Sequence, residues 1–138
     1  MTHDLQQQLR NCLPNCGEDA PQYVTEFVQV ILSAAREARA SDVHLVPFQE
    51  HLEMGWRIDG VMQPVQRFSG GLGPRVVARL KVLSDLLTYQ TEVPQEGRIR
   101  VAGEAEIRAS TLPTLFGEKV VIRLCAGWGE FDRLGSLN

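Results

Sequence analysis

Apolar residues follow two periods along this chain, and the periods alternate in blocks. Val24, Phe27, Val28, Ile31, Ala35 and Ala38 recur at helical spacing, with Gln29, Arg36, Glu37 and Arg39 on the other side. This spacing predicts an amphipathic helix, and Pro21 suits its first turn, where a missing N–H costs nothing. The period then drops to two. Val43 and Leu45 alternate with Asp42 and His44, and Leu52, Met54, Trp56 and Ile58 alternate with His51, Glu53, Gly55 and Arg57. Such alternation marks strands with one buried face. Asp59-Gly60 is a two-residue hairpin signal, and residues 61–65 form the next predicted strand, with Pro64 near an edge or an end. The cluster Gly70-Gly71-Leu72-Gly73-Pro74 breaks the pattern. Val76, Val77, Leu80, Leu83, Leu86 and Leu87 then return to helical spacing, while Arg75, Arg79 and Lys81 lie off the stripe and are expected in solvent, the alternative being an acidic partner. A polar connection over residues 88–96 precedes three more strands, over residues 97–102, 105–110 and 119–124. Helix, three strands, helix, three strands, joined mostly by hairpins, predicts an α+β fold. Its sheet is largely antiparallel, with about six strands and helices packed on one face.

Composition narrows the class. A chain of 138 residues is the size of one ordinary domain. With 43% hydrophobic and 22% charged residues it is globular in balance rather than disordered. The net charge of −3 argues against direct nucleic-acid binding, which usually needs a basic excess. The polar, Gln-rich start over residues 1–10 is no signal peptide, and no apolar run is long enough to span a membrane, so a cytoplasmic location is expected. Cys12, Cys16 and Cys125 are expected as unligated thiols: the spacing of the first two is wrong for a Cys-x-x-Cys knuckle and no second pair follows. No metal site is expected.

Catalytic motifs are missing from these residues. Ser69-Gly70-Gly71-Leu72-Gly73-Pro74 lacks the Gly-Lys-Ser/Thr ending that reaches phosphates and magnesium, and reads as a strand-to-helix turn. No Gly-x-Ser-x-Gly or His-Glu-x-x-His occurs. Arginines stand out instead. Arg98, Arg100 and Arg108 should emerge from one polar sheet face, with Glu104 and Glu106 on the same hairpin. The simplest account is cross-strand ion pairs, each contributing roughly 0.2–1 kcal/mol. Arg123 differs, because it projects from the otherwise apolar run Val120-Val121-Ile122 and Leu124. It either pairs with a carboxylate or faces a partner, and its planar fork suits phosphate. His44 is expected on the surface, and Phe27 and Trp56 in the core.

Six segments in order carry a resemblance. Ala40-Ser41-Asp42-Val43-His44-Leu45-Val46-Pro47, Arg57-Ile58-Asp59-Gly60-Val61, Arg79-Leu80-Lys81-Val82-Leu83, Val93-Pro94-Gln95-Glu96-Gly97-Arg98-Ile99, Arg108-Ala109-Ser110-Thr111-Leu112-Pro113 and Gly117-Glu118-Lys119-Val120-Val121-Ile122-Arg123 resemble signatures of the type II secretion and type IV pilus-assembly ATPases. The match runs over residues 19–124. It implies a PAS-like domain over residues 21–126, after a leader or short helix over residues 1–20 and before the start of a linker, residues 127–138, into a RecA-like ATPase domain. The chain carries no phosphate-binding loop of its own.

By that resemblance Arg108 and Arg123 reach the phosphates of ATP held by the RecA-like domain, so Arg123 leans towards phosphate contact. The parent would be an ATPase using ATP and magnesium, with none expected on this chain alone. It would work as a homo-hexamer at the cytoplasmic face of an inner-membrane secretion or pilus platform. Two departures stand out. Tyr89-Gln90-Thr91-Glu92 replaces a basic stretch, and Glu96 replaces the usual Asp. The alternatives are a stand-alone interaction domain docking on a complete ATPase or its membrane platform, and a PAS-like sensor with a small ligand in its core.

Overall fold

The computed structural model describes Gln7, Leu9, Leu13 and residues 22–99 and 107–124. The cysteines, Arg100, Glu104, Glu106 and the segment over residues 127–138 lie outside the described residues, as does Pro21. Helix α1 spans Tyr23–Glu37 and is followed by β1 (Asp42–Pro47), β2 (His51–Ile58) and β3 (Val61–Ser69). Helix α2 (Leu72–Leu83) then leads to β4 (Gln95–Ile99), β5 (Ile107–Thr114) and β6 (Gly117–Arg123). The six strands form one antiparallel sheet in the order β3-β2-β1-β6-β5-β4. The fold class is α+β, as the alternating periods predict.

Two three-stranded meanders make this sheet, and they join where β1 pairs with β6. The β2–β3 hairpin turns on Asp59 and Gly60, at φ 53° and 80°. Both residues are left-handed, as a type I′ turn requires. β3 is longer than the five residues the alternation suggests. Its pairing with β2 slips between Met54 and Gly55, leaving buried Val65 as an extra residue, and the strand runs on to Ser69 past that bulge. Pro64 sits beside the bulge on an edge strand, where a missing donor is tolerated.

Both helices cover the same face. Phe27, Val28, Ile31 and Leu32 of α1 and Val76 and Leu80 of α2 meet Leu45 of β1 and Ile122 of β6. The space left among these eight side chains is about 10 Å³, room for one water at most. Phe27 packs edge-on against Phe68 of β3, with ring centroids 4.9 Å apart, and Trp56 is buried beneath. Leu9 is fully buried in this core, and Leu13 N–H donates to Leu9 O at 3.0 Å.

Helix α2 ends before Leu86 and Leu87, against the periodicity. Asp85 takes φ 61°, its N–H donates to Val82 O, and Leu86 N–H donates to Lys81 O. These two reversed bonds are the Schellman stop, and Ser84 Oγ also donates to Leu80 O at 2.7 Å. The chain turns here because β4 packs onto the turn. A Cβ on Gly97 would lie 2.4 Å from Ser84 O, so only glycine allows the strand this close.

A second correction concerns Lys81. The expectation was solvent, but its side chain is 1% exposed. Nζ lies 2.7 Å from Glu118 Oε2 and donates to Gln90 O at 2.7 Å. The contact with Glu118 is an ion pair, since Oε2 makes no hydrogen bond of good geometry. A charge inside must be paired, and the apolar stem of lysine lets it lie along the core edge.

Candidate functional site

The face opposite the helices carries one continuous row of charge. In register across five strands stand Arg57 of β2, Asp42 of β1, Arg123 of β6, Arg108 of β5 and Arg98 of β4. The row exists because each residue sits at an outward position of its own strand, and because β1 and β6 meet at the centre of the sheet. Neighbouring strands lie about 4.8 Å apart, so the guanidiniums are held close together.

Asp42 is the hub, and alternation alone misses it. Its carboxylate is 6% exposed although it lies on the outward face. Oδ1 accepts from Arg123 Nε at 3.1 Å, and Oδ2 pairs with Arg57 Nε at 3.3 Å. Arg57 also donates from Nη1 to Gly60 O at 3.2 Å, which ties the hub to the β2–β3 turn. Arg123 is therefore ion-paired, as one of its two readings has it, yet its side chain stays 63% exposed.

Further along the row three arginines stand side by side. Arg108 faces Arg123 on one side and Arg98 on the other. It pairs with the carboxylate of Glu96 at 3.7 Å, and both side chains are more than half exposed. Like charges directly opposite in a sheet are unfavourable, so three adjacent arginines are not a stabilising arrangement in themselves. They suit an anion with several oxygens, for which a guanidinium fork offers two parallel donors.

His44 lies on the same face, one outward position from Asp42 along β1, and is partly buried rather than fully at the surface. Burial, then the charge of Lys119, push its pKa below the usual value, with Arg57 and Arg123 adding to this and Asp42 opposing it. Beyond it a groove of about 550 Å³ is lined by His44, Glu53, Gly55, Met62, Pro64 and Arg67, among others.

The structure thus brings Arg98, Arg108 and Arg123 together and adds Arg57 and Asp42, which the sequence reading left unassigned as site residues. The signal was present: Asp42 lies in Ala-Ser-Asp-Val-His and Arg57 opens Arg-Ile-Asp-Gly. On the covered face another motif residue works structurally. Gln95 Nε2 donates to Leu87 O at 2.9 Å and Gln90 O at 3.0 Å, and its Oε1 accepts from Leu87 N at 2.9 Å. That clamp holds the connection before β4. A cleft of about 670 Å³ opens beside it, with Lys81 and Glu118 in its wall.

Comparison with known proteins supplies the rest. The family model described as "Type II/IV secretion system protein" matches residues 18–136. The chain is 40% identical over 116 residues to the type IV pilus assembly ATPase PilB of Myxococcus xanthus, covering 81% of this chain and 20% of that protein. It is 36% identical over 110 residues to type II secretion system protein E of Klebsiella pneumoniae, covering 78% and 22%. Pseudomonas aeruginosa type II secretion system protein E is 41% identical over 110 residues, again covering 78% and 22%. The chain spans about a fifth of the length of these curated relatives.

Proposed function

The chain belongs to the type II/IV secretion system protein family, and from that premise we propose that it serves as the regulatory and assembly domain of a secretion or pilus-assembly ATPase, lending guanidinium charge to ATP phosphates. The observation that carries this is the adjacency of Arg98, Arg108 and Arg123 in register on the open sheet face, with the side chains of Arg108 and Arg123 more than half exposed. Arg108 and Arg123 are the residues assigned to the phosphates. The nucleotide and its magnesium would be held by a RecA-like domain, which is also the proposed direct partner. The work of this chain is then electrostatic. Fixed positive charge, already organised before the reaction, stabilises negative charge that develops on the terminal phosphate. Assembly into a homo-hexamer at a membrane platform, and a cytoplasmic position, follow from the same reading.

The test is a chimera. Residues 18–136 replace the matching segment of the Myxococcus xanthus pilus ATPase, and ATP turnover is measured. Arg108→Ala and Arg123→Ala are each expected to lower kcat, on the order of 10²-fold for loss of one positioned donor. Turnover unchanged in both variants of an active chimera contradicts the phosphate role.

A further inference from the structure

Arg123 is gripped from behind. Its Nε, not the end of its fork, is the atom bonded to Asp42, and most of the side chain remains exposed. Asp42 is suited to this. It is almost fully buried, so its position is set by packing, and the residue before it is pinned twice: Ser41 N–H donates to Arg57 O and Leu124 N–H donates to Ser41 O, each at 2.8 Å. Its second oxygen is taken by Arg57. Arg57 thus offsets the charge of Asp42, so the carboxylate orients Arg123 without cancelling its charge. Holding the side chain at Nε also fixes the plane of the guanidinium in advance, so less side-chain freedom remains to be lost when an anion binds.

We infer that Asp42 is a positioning residue for this anion site, with Arg57 as the counter-charge that keeps Arg123 available to phosphate. The inference rests on the phosphate reading of Arg123. It adds a residue that touches no phosphate itself and a reason for Asp42 to lie at the junction of the two meanders.

The experiment uses the 138-residue chain labelled with ¹⁵N, inorganic triphosphate as the probe, and the arginine Nε–H signals as the readout. In the native chain the signals of Arg108 and Arg123 are expected to shift on titration, with the weak, roughly millimolar affinity of a site made of few donors; no shift at either removes the phosphate reading on which the inference rests. Asp42→Asn leaves a side chain of the same shape with a single acceptor oxygen, which can hold one guanidinium and not two. The Arg123 signal should then lose its distinct position, and its response to triphosphate should weaken about tenfold in affinity. Arg108 should still respond, and the amide spectrum should stay folded. An undiminished Arg123 response in folded Asp42→Asn overturns the inference.

Should Asp42→Asn fail to fold, Arg123→Lys decides. Lysine keeps the charge but has no Nε–H to be gripped, so it should bind triphosphate as weakly as Arg123→Ala. Native-like binding by Arg123→Lys overturns the positioning role. Native-like binding by Arg123→Ala instead removes the phosphate reading on which it rests.

Discussion

Among the described residues, strand β6 contributes to two ion pairs, one on each face of the sheet. Glu118 points to the covered side and meets Lys81 of α2, with both side chains nearly out of solvent. Five residues on, Arg123 points to the open side and meets Asp42, and only the carboxylate is buried. The chemistry is the same, a carboxylate and a cation, and the surroundings decide the role. On the covered side the pair ties α2 to the sheet at a depth where either charge alone would be costly. On the open side the carboxylate is sunk and the cation displayed. One face of the sheet invests its charge in the fold, and the other presents it to a partner.

The largest expected effect falls on the covered side. Lys81→Ala leaves Glu118 buried and unpaired, and should cost about 3–5 kcal/mol in chemical denaturation. The double change Lys81→Met with Glu118→Leu should recover most of it. A loss for Lys81→Ala within about 0.5 kcal/mol would break the contrast between the faces. Gly97→Ala comes next. Its new methyl would meet Ser84 O and Leu86 Cδ2, and overpacking of this kind costs about 1–3 kcal/mol. It should lower the melting temperature without touching the arginine row.

On the open face the sign of the comparison reverses. Arg123→Ala should change stability by no more than about 0.5 kcal/mol, as exposed ion pairs do, while turnover in the chimera falls. A destabilisation as large as that of Lys81→Ala would make Arg123 structural. The smallest effect belongs to His44. Its pKa is lowered in the folded state, first by burial and then by Lys119, so between that lowered value and about 6.5 the unfolded chain binds more protons. Stability should therefore rise with pH through this window and level off above about 6.5. His44→Gln should flatten that rise in pH-dependent melting.

Local elements were legible because they depend on local pattern. The periods predict α1, β1 and β2, and Asp59-Gly60 predicts the turn that the backbone adopts. What escaped depends on residues far apart. Asp42 and Arg123 are 81 positions apart, and no periodicity says that the first strand pairs with the last, or in which register. Without that pairing the arginines are scattered polar positions rather than a row. Lys81 was misread for a related reason. A charge beside an apolar stripe looks solvent-facing until Glu118 comes in from another strand to pair with it. The early end of α2 likewise follows from Gly97 packing on Ser84, a contact that the apolar run to Leu87 hides. The resemblance carried Arg108 and Arg123, and the structure explains why motifs so far apart in sequence belong to one surface.

The central claim is that phosphate belongs on the open face, and a crystal structure of the chimera with a non-hydrolysable ATP analogue tests it most directly. The account predicts Arg108 and Arg123 within hydrogen-bond distance of the terminal phosphate, with the Asp42–Arg123 pair intact. A terminal phosphate remote from both arginines, or one seated in the covered cleft against Lys81, would contradict it.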